Sequence, residues 1–202
     1  MTMQRLISFA AALLLVVSVH ATGEVGGEVR FDVIYKRVGQ ESLGLDLHYP
    51  ATGAPKTGHP LVVFIHGGGW SKGKKTIGEK GVCFLGVQAL NEAGFCVASV
   101  DYRLCTKDGR VTIRECVIDC MDALRYLAKN AAKLSLDANH VFTIGDSAGG
   151  HLAQMVLLSP PASFPGDPAL ADAKFRLVAG VSWYGPCDFE NSELFRRPDG
   201  TG

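Results

Sequence analysis

Residues 142–151 read FTIGDSAGGH. An apolar run ends at Ile144. A single serine, Ser147, then stands between Gly145 and Gly149, and a second apolar segment follows at once. A strand that breaks directly into a helix through small residues carries the intervening hydroxyl at the tip of a sharp turn. The backbone there is strained, and a side chain at either glycine would strike its neighbours. The helix that opens after the serine aims its N-terminal dipole at negative charge developing beside it. A serine hydroxyl is a poor nucleophile at neutral pH unless a base takes its proton. The stretch therefore sets both the fold and the question of which residue deprotonates Ser147.

Outward from this turn the pattern alternates. Residues 61–66, LVVFIH, and 95–103, FCVASVDYR, are continuous apolar runs, as strands buried on both faces require. Residues 140–145 and 175–185 read as further strands. Helices are expected over 80–93, stopped by Gly94, over 112–133, where Ile113, Val117, Met121, Leu124 and Leu127 recur at helical spacing, and over 149–158. Earlier, 28–38 has strand character, and in 43–50 Leu43, Leu45 and Leu47 alternate towards one side, so an antiparallel hairpin is expected. Strand–helix alternation with continuous apolar strands predicts an α/β fold with a mostly parallel, doubly wound sheet. The N-terminal hairpin adds antiparallel strands to it. Ligands of such sheets bind beyond the carboxyl ends of the strands.

A second glycine-rich motif falls at such an end. His66-Gly67-Gly68-Gly69-Trp70 follows LVVFI directly. Three glycines let the backbone bend so that its N–H groups point into a site, where they can hold the oxyanion of a tetrahedral intermediate. The N–H of Ala148, the residue after the serine, supplies a further donor. A phosphate loop wants GxxxxGK[ST], and GGGWSKGKK lacks that spacing.

Taken together, HGGGW, SVDYRL, GDSAGGHLA and the strand-like LGLDLHYP resemble the alpha/beta-hydrolase superfamily, and within it the hormone-sensitive-lipase-like esterases and bacterial carboxylesterases, acetyl xylan and feruloyl esterases among them. The resemblance runs from about residue 31 to about residue 184. It implies Ser147 as nucleophile, Gly67, Gly68 and Ala148 as oxyanion donors, and His66, Gly69 and Asp146 in support, with no metal or organic cofactor. It further implies an ester as substrate, small or on a polysaccharide, cleaved through an acyl-enzyme. An inactive binding domain of the same fold, an arylformamidase and a peptidase stay open as alternatives.

The base is harder to find. Of the six histidines, His66 opens the glycine loop and organises it, and His151 packs beneath the turn. His140 begins a strand at the far end of the sheet, and His48 and His59 belong to the early hairpin and a loop. In this fold the acid and then the histidine follow the serine, and no histidine follows His151. Asp188 is a candidate acid beside the plainer reading of a loop aspartate. Asp101 is expected to hold local loop backbone. The resemblance implies two further strands carrying acid and base beyond residue 202, so the chain is expected to be the N-terminal portion of the domain, with at most trace hydrolysis.

Residues 1–21 carry Arg5, an apolar run over 6–19 and a small-residue site at Val19-His20-Ala21. This is the plan of a secretory signal peptide, with the hydrolase domain over 22–202 and a secreted or periplasmic location. The run is short for a membrane span, which needs about 20 residues, though an uncleaved anchor is the competing reading. Twenty basic and twenty acidic side chains cancel, so nothing favours nucleic acid as a partner. Six cysteines include no CxxC pair. Cys83 and Cys96 are expected to pack as small hydrophobes. Cys116 and Cys120 share a helix face, and Cys105 is open to a bridge whose partner sequence alone does not assign.

Overall fold

The computed structural model describes residues 27–78 and 82–190, so the signal-like segment 1–21 and the final residues 191–202 lie outside the described residues. Six strands form one sheet: β1 (Val29–Val38), β2 (Glu41–His48), β3 (His59–Ile65), β4 (Cys96–Val100), β5 (Leu136–Asp146) and β6 (Leu177–Trp183). Their order is β1-β2-β4-β3-β5-β6. β1 pairs with β2, and β2 with β4, antiparallel. The β4–β3, β3–β5 and β5–β6 pairs are parallel. The fold is thus the expected α/β class, with an antiparallel N-terminal hairpin on a parallel sheet.

The two-residue period of β3 explains why its sequence is apolar without a break. Leu61, Val63 and Ile65 join Cys96, Ala98 and Val100 in one core, while Val62 and Phe64 join Val97, Phe142 and Ile144 in a second core on the opposite face. Each fully buried Leu, Val or Ile contributes about 1.5–3 kcal/mol, so β3 ties both halves of the molecule together. Helix α1 (Val82–Glu92) covers the second core with Val87 and Leu90. Helices α2 (Ile113–Lys129) and α3 (Ala148–Leu158) cover the first. Leu43, Leu45 and Leu47 of β2 all enter that first core, as their alternation predicts.

Where boundaries differ from the sequence reading, local chemistry accounts for it. Thr112 and Glu115 form a capping box at the start of α2. The helix ends at Lys129 rather than 133 because Asn130 turns back, its side-chain amide donating to the Tyr126 carbonyl at 2.9 Å. β5 begins four residues earlier than expected, since Leu136 and Asp137 pair with His59 and Pro60 ahead of a register shift. No described helix is long and apolar enough to cross a membrane.

Candidate active site

The turn at Ser147 is where β5 meets α3. Ser147 has φ 50° and ψ −119°, a strained conformation for an L-residue. Its N–H donates to the Trp183 carbonyl of β6 at 2.8 Å, and its carbonyl accepts the His151 N–H at 3.1 Å. The flanking glycines are sterically required. A Cβ on Gly145 would fall on the Gly149 carbonyl, and one on Gly149 would fall on the Ile65 carbonyl of β3. Both obstacles are backbone, so neither can swing aside. The Ser147 hydroxyl makes no hydrogen bond with any described residue.

The glycine loop leaves β3 directly opposite. Gly68, Gly69 and Trp70 hold φ of 115°, 60° and 58°, and the Gly68 carbonyl accepts the N–H groups of Ser71 and Lys72 at 3.3 and 3.0 Å. This folds the loop back while leaving Gly68 and Gly69 exposed. One expectation needs correcting. The Gly67 N–H is not free for an oxyanion, because it donates to Asp146 Oδ1 at 2.9 Å. A buried amide facing an adjacent carboxylate makes a charge-assisted bond, so Gly67 and Asp146 clamp the glycine loop to the turn. Gly68 and Ala148 keep N–H groups without an acceptor among the described residues.

His66 organises this loop. Its Nδ1–H donates to the Gly67 carbonyl at 2.7 Å. Its ring stacks on Tyr102 with centroids 4.4 Å apart, and the Tyr102 hydroxyl donates to the His66 carbonyl at 2.8 Å. Burial holds the His66 imidazole below the ordinary histidine range, with the Gly67 bond acting against it. The exit of the loop is anchored as well. Asp101 accepts the Lys75 N–H at 2.6 Å, Lys75 Nζ pairs with the buried Asp46 at 2.7 Å, and the Cys105 N–H donates to the Trp70 carbonyl at 2.8 Å.

None of the other described histidines meets Ser147 Oγ. His48 pairs with Val97 and His59 with Leu136, at the opposite end of the sheet. His140 Nδ1 bonds Asp137 at 2.7 Å, and six residues of strand, about 20 Å, separate it from Asp146. His151 is buried on α3 with its ring edge-on to Trp70 and Phe189, at 5.6 and 5.0 Å. Its Nδ1 has no partner, and burial lowers its pKa. Asp188 is exposed and accepts the Glu190 N–H at 3.1 Å, a local turn contact.

Two features had no clear signal in the sequence. An apolar pocket of about 300 Å³ lies one helical turn from Ser147, between the N-terminal turns of α2 and α3, lined by Ile113, Val117, His151, Met155, Phe164 and Phe189 among others. It is assembled from four separated segments, so no spacing marks it. Behind α2, the fully buried Asp119 and Asp122 meet Lys36, Arg103 and Arg125 at 2.7–2.9 Å.

Comparison with known proteins agrees with this fold. The BD-FAE family model matches residues 45–198. The isoprenylcysteine alpha-carbonyl methylesterase ICME of Arabidopsis thaliana is 31% identical over 176 residues, 84% of this chain and 38% of that protein. Methylphloroacetophenone synthase of Cladonia uncialis is 32% identical over 173 residues, 77% of this chain and 6% of that protein. Among solved structures, the thermophilic esterase Est2 of Thermogutta terrifontis with propionate bound aligns at TM-score 0.66 and 27% identity, covering 88% of this chain and 61% of that one. The chain thus spans less than two thirds of each of these proteins.

Proposed function

This chain belongs to the BD-FAE family, which has the alpha/beta-hydrolase fold, and from that premise we propose that it is the nucleophile-bearing part of a serine carboxylic-ester hydrolase. Ser147 attacks the ester carbonyl. The Gly68 and Ala148 N–H groups receive the developing oxyanion, each such donor being worth about 2.7–4 kcal/mol of transition-state stabilisation. Asp146, Gly67 and His66 hold those donors in place. The observation that carries the reading is a Ser147 hydroxyl with no hydrogen bond to a described residue, on a strained turn that Asp146 ties to a loop with free backbone donors.

No described histidine accepts the hydroxyl's proton, so the base and its acid come from sequence outside the described residues. The substrate is a short acyl ester. The apolar pocket beside His151 suits a small acyl group, and the similar Est2 structure holds propionate. Acetyl or feruloyl groups on a plant polysaccharide, released outside the cell, are the form of this substrate that an exported chain would meet.

Loss of a triad member leaves a residual rate about 10³–10⁴ above water, from the oxyanion hole and binding. The chain alone therefore hydrolyses p-nitrophenyl acetate only in trace. Imidazole added as an external base raises the part of the rate that Ser147→Ala abolishes. Equal rates for the two proteins at every imidazole concentration contradict the proposal. That no described histidine meets the Ser147 hydroxyl also favours a second reading, a domain that binds esters or acids without turnover. Such a domain binds propionate yet gains nothing from imidazole.

A further inference from the structure

Two thiols almost touch where the chain passes from β4 into α2. Cys105 Sγ lies 3.7 Å from Cys116 Sγ. Cys116 sits in the first turn of α2, fully buried, with the Arg103 and Thr112 carbonyls 3.1 and 3.3 Å from its sulfur. Cys105 is only partly buried and lies in the irregular segment 101–112, where a side-chain rotation needs no change in a strand or helix. A disulfide has sulfurs about 2.0 Å apart, so the pair must close by about 1.7 Å. Cys120, one turn further along α2, is sealed in the core, and Cys187 is exposed beyond β6.

We propose that Cys105 and Cys116 are a disulfide site, closed by a low-molecular-weight disulfide as oxidant. The Cys105 thiolate attacks the oxidant, releasing one thiol and leaving a mixed disulfide on Cys105. Cys116 then attacks Cys105 Sγ and the second thiol leaves. The protein loses two hydrogens and two electrons, and the oxidant becomes two thiols. Burial pushes the Cys116 thiol well above its ordinary pKa, with Cys105 beside it adding to the shift, so Cys116 resolves the bond that the more accessible Cys105 begins. The consequence reaches the candidate site. The Cys105 N–H holds the Trp70 carbonyl at 2.8 Å, so the bond fastens the exit of the glycine loop to α2.

The purified chain is incubated with oxidised glutathione, its free thiols are alkylated, and it is digested with trypsin without reduction. Cleavage after Arg103, Lys107, Arg114 and Arg125 releases LCTK, residues 104–107, and ECVIDCMDALR, residues 115–125. The expected product is these two peptides joined and lighter by two hydrogens, with fragment ions placing the bond on Cys116. The link persists in Cys120→Ala and vanishes in Cys116→Ser, and the oxidised chain melts several degrees above the reduced one. Separately alkylated peptides after oxidation has reached equilibrium would overturn the proposal. So would Cys105 joined to Cys120, to Cys187 or to glutathione as the end product.

Discussion

At Ser147 the chain accepts strain at a half-buried residue whose hydroxyl bonds no described residue. The φ of 50° with ψ of −119° is a conformation that costs a non-glycine residue about 1–3 kcal/mol. Ser147→Gly relieves that strain, offset in part by the greater freedom of glycine in the unfolded chain. It is expected to raise stability by about 1 kcal/mol in urea unfolding, while Ser147→Ala, which keeps a Cβ, changes little. If both variants lose stability alike, the strain is not there. This site was legible in the sequence because its constraints are steric and local: Gly145 and Gly149 have no room for a Cβ. The partner of the Gly67 N–H was not legible. It depends on where the Asp146 carboxylate swings, 79 residues away in sequence.

Among the elements, α2 shows what periodicity conveys and what it misses. The stripe of Val117, Met121, Leu124 and Leu127 is buried as its spacing predicts. Asp119 and Asp122 fall between those positions, where the periodicity gives no reason for burial. In fact both are fully buried, because Lys36 from β1, Arg103 from the preceding loop and Arg125 from α2 itself converge on them. Such pairings lie far apart in sequence and leave no pattern. Removing one partner of a buried ion pair strands the other, at about 3–5 kcal/mol. Asp119→Ala, which strands Arg103 and loosens Lys36, is expected to lose that much in urea unfolding. A loss under 1 kcal/mol contradicts the burial of this network. Joining Cys105 to Cys116 closes a loop of comparable size to one for which chain entropy gives about 3 kcal/mol, so oxidation should partly restore the Asp119→Ala protein.

For the molecule as a whole, pH reports on three imidazoles shielded by the fold, His66 and His151 buried and His48 half-buried. His48, His66 and His151 all have pKa values lowered, chiefly by burial. His48 also senses Asp46 and Lys75, and His66 senses Asp101 and Asp146. In the unfolded chain each takes up a proton near pH 6.5. The folded chain resists until lower pH, so the unfolded state binds more protons and stability falls with pH in that window. The melting temperature is therefore expected to be level above about pH 7 and to drop between about pH 6.5 and pH 5. His151→Phe removes one of the three groups and shallows the drop. An unchanged melting temperature across that window would contradict the burial of these rings.

The strands, the antiparallel hairpin and the two glycine-rich turns were within reach of the sequence because strand periodicity and glycine sterics are short-range rules, whereas the order of the strands in the sheet was not. The pocket beside His151 and the clamp between Gly67 and Asp146 arise only when separate segments meet. The central claim, that Ser147 is a nucleophile facing an oxyanion hole, is tested most directly by exposing the chain to p-nitrophenyl acetate, quenching in acid and fragmenting the tryptic peptide 134–174. With imidazole supplied as the external base, an acetyl group is expected on Ser147 and to be absent from Ser147→Ala. Acetylation confined to lysines, with Ser147 unmodified, would contradict the account.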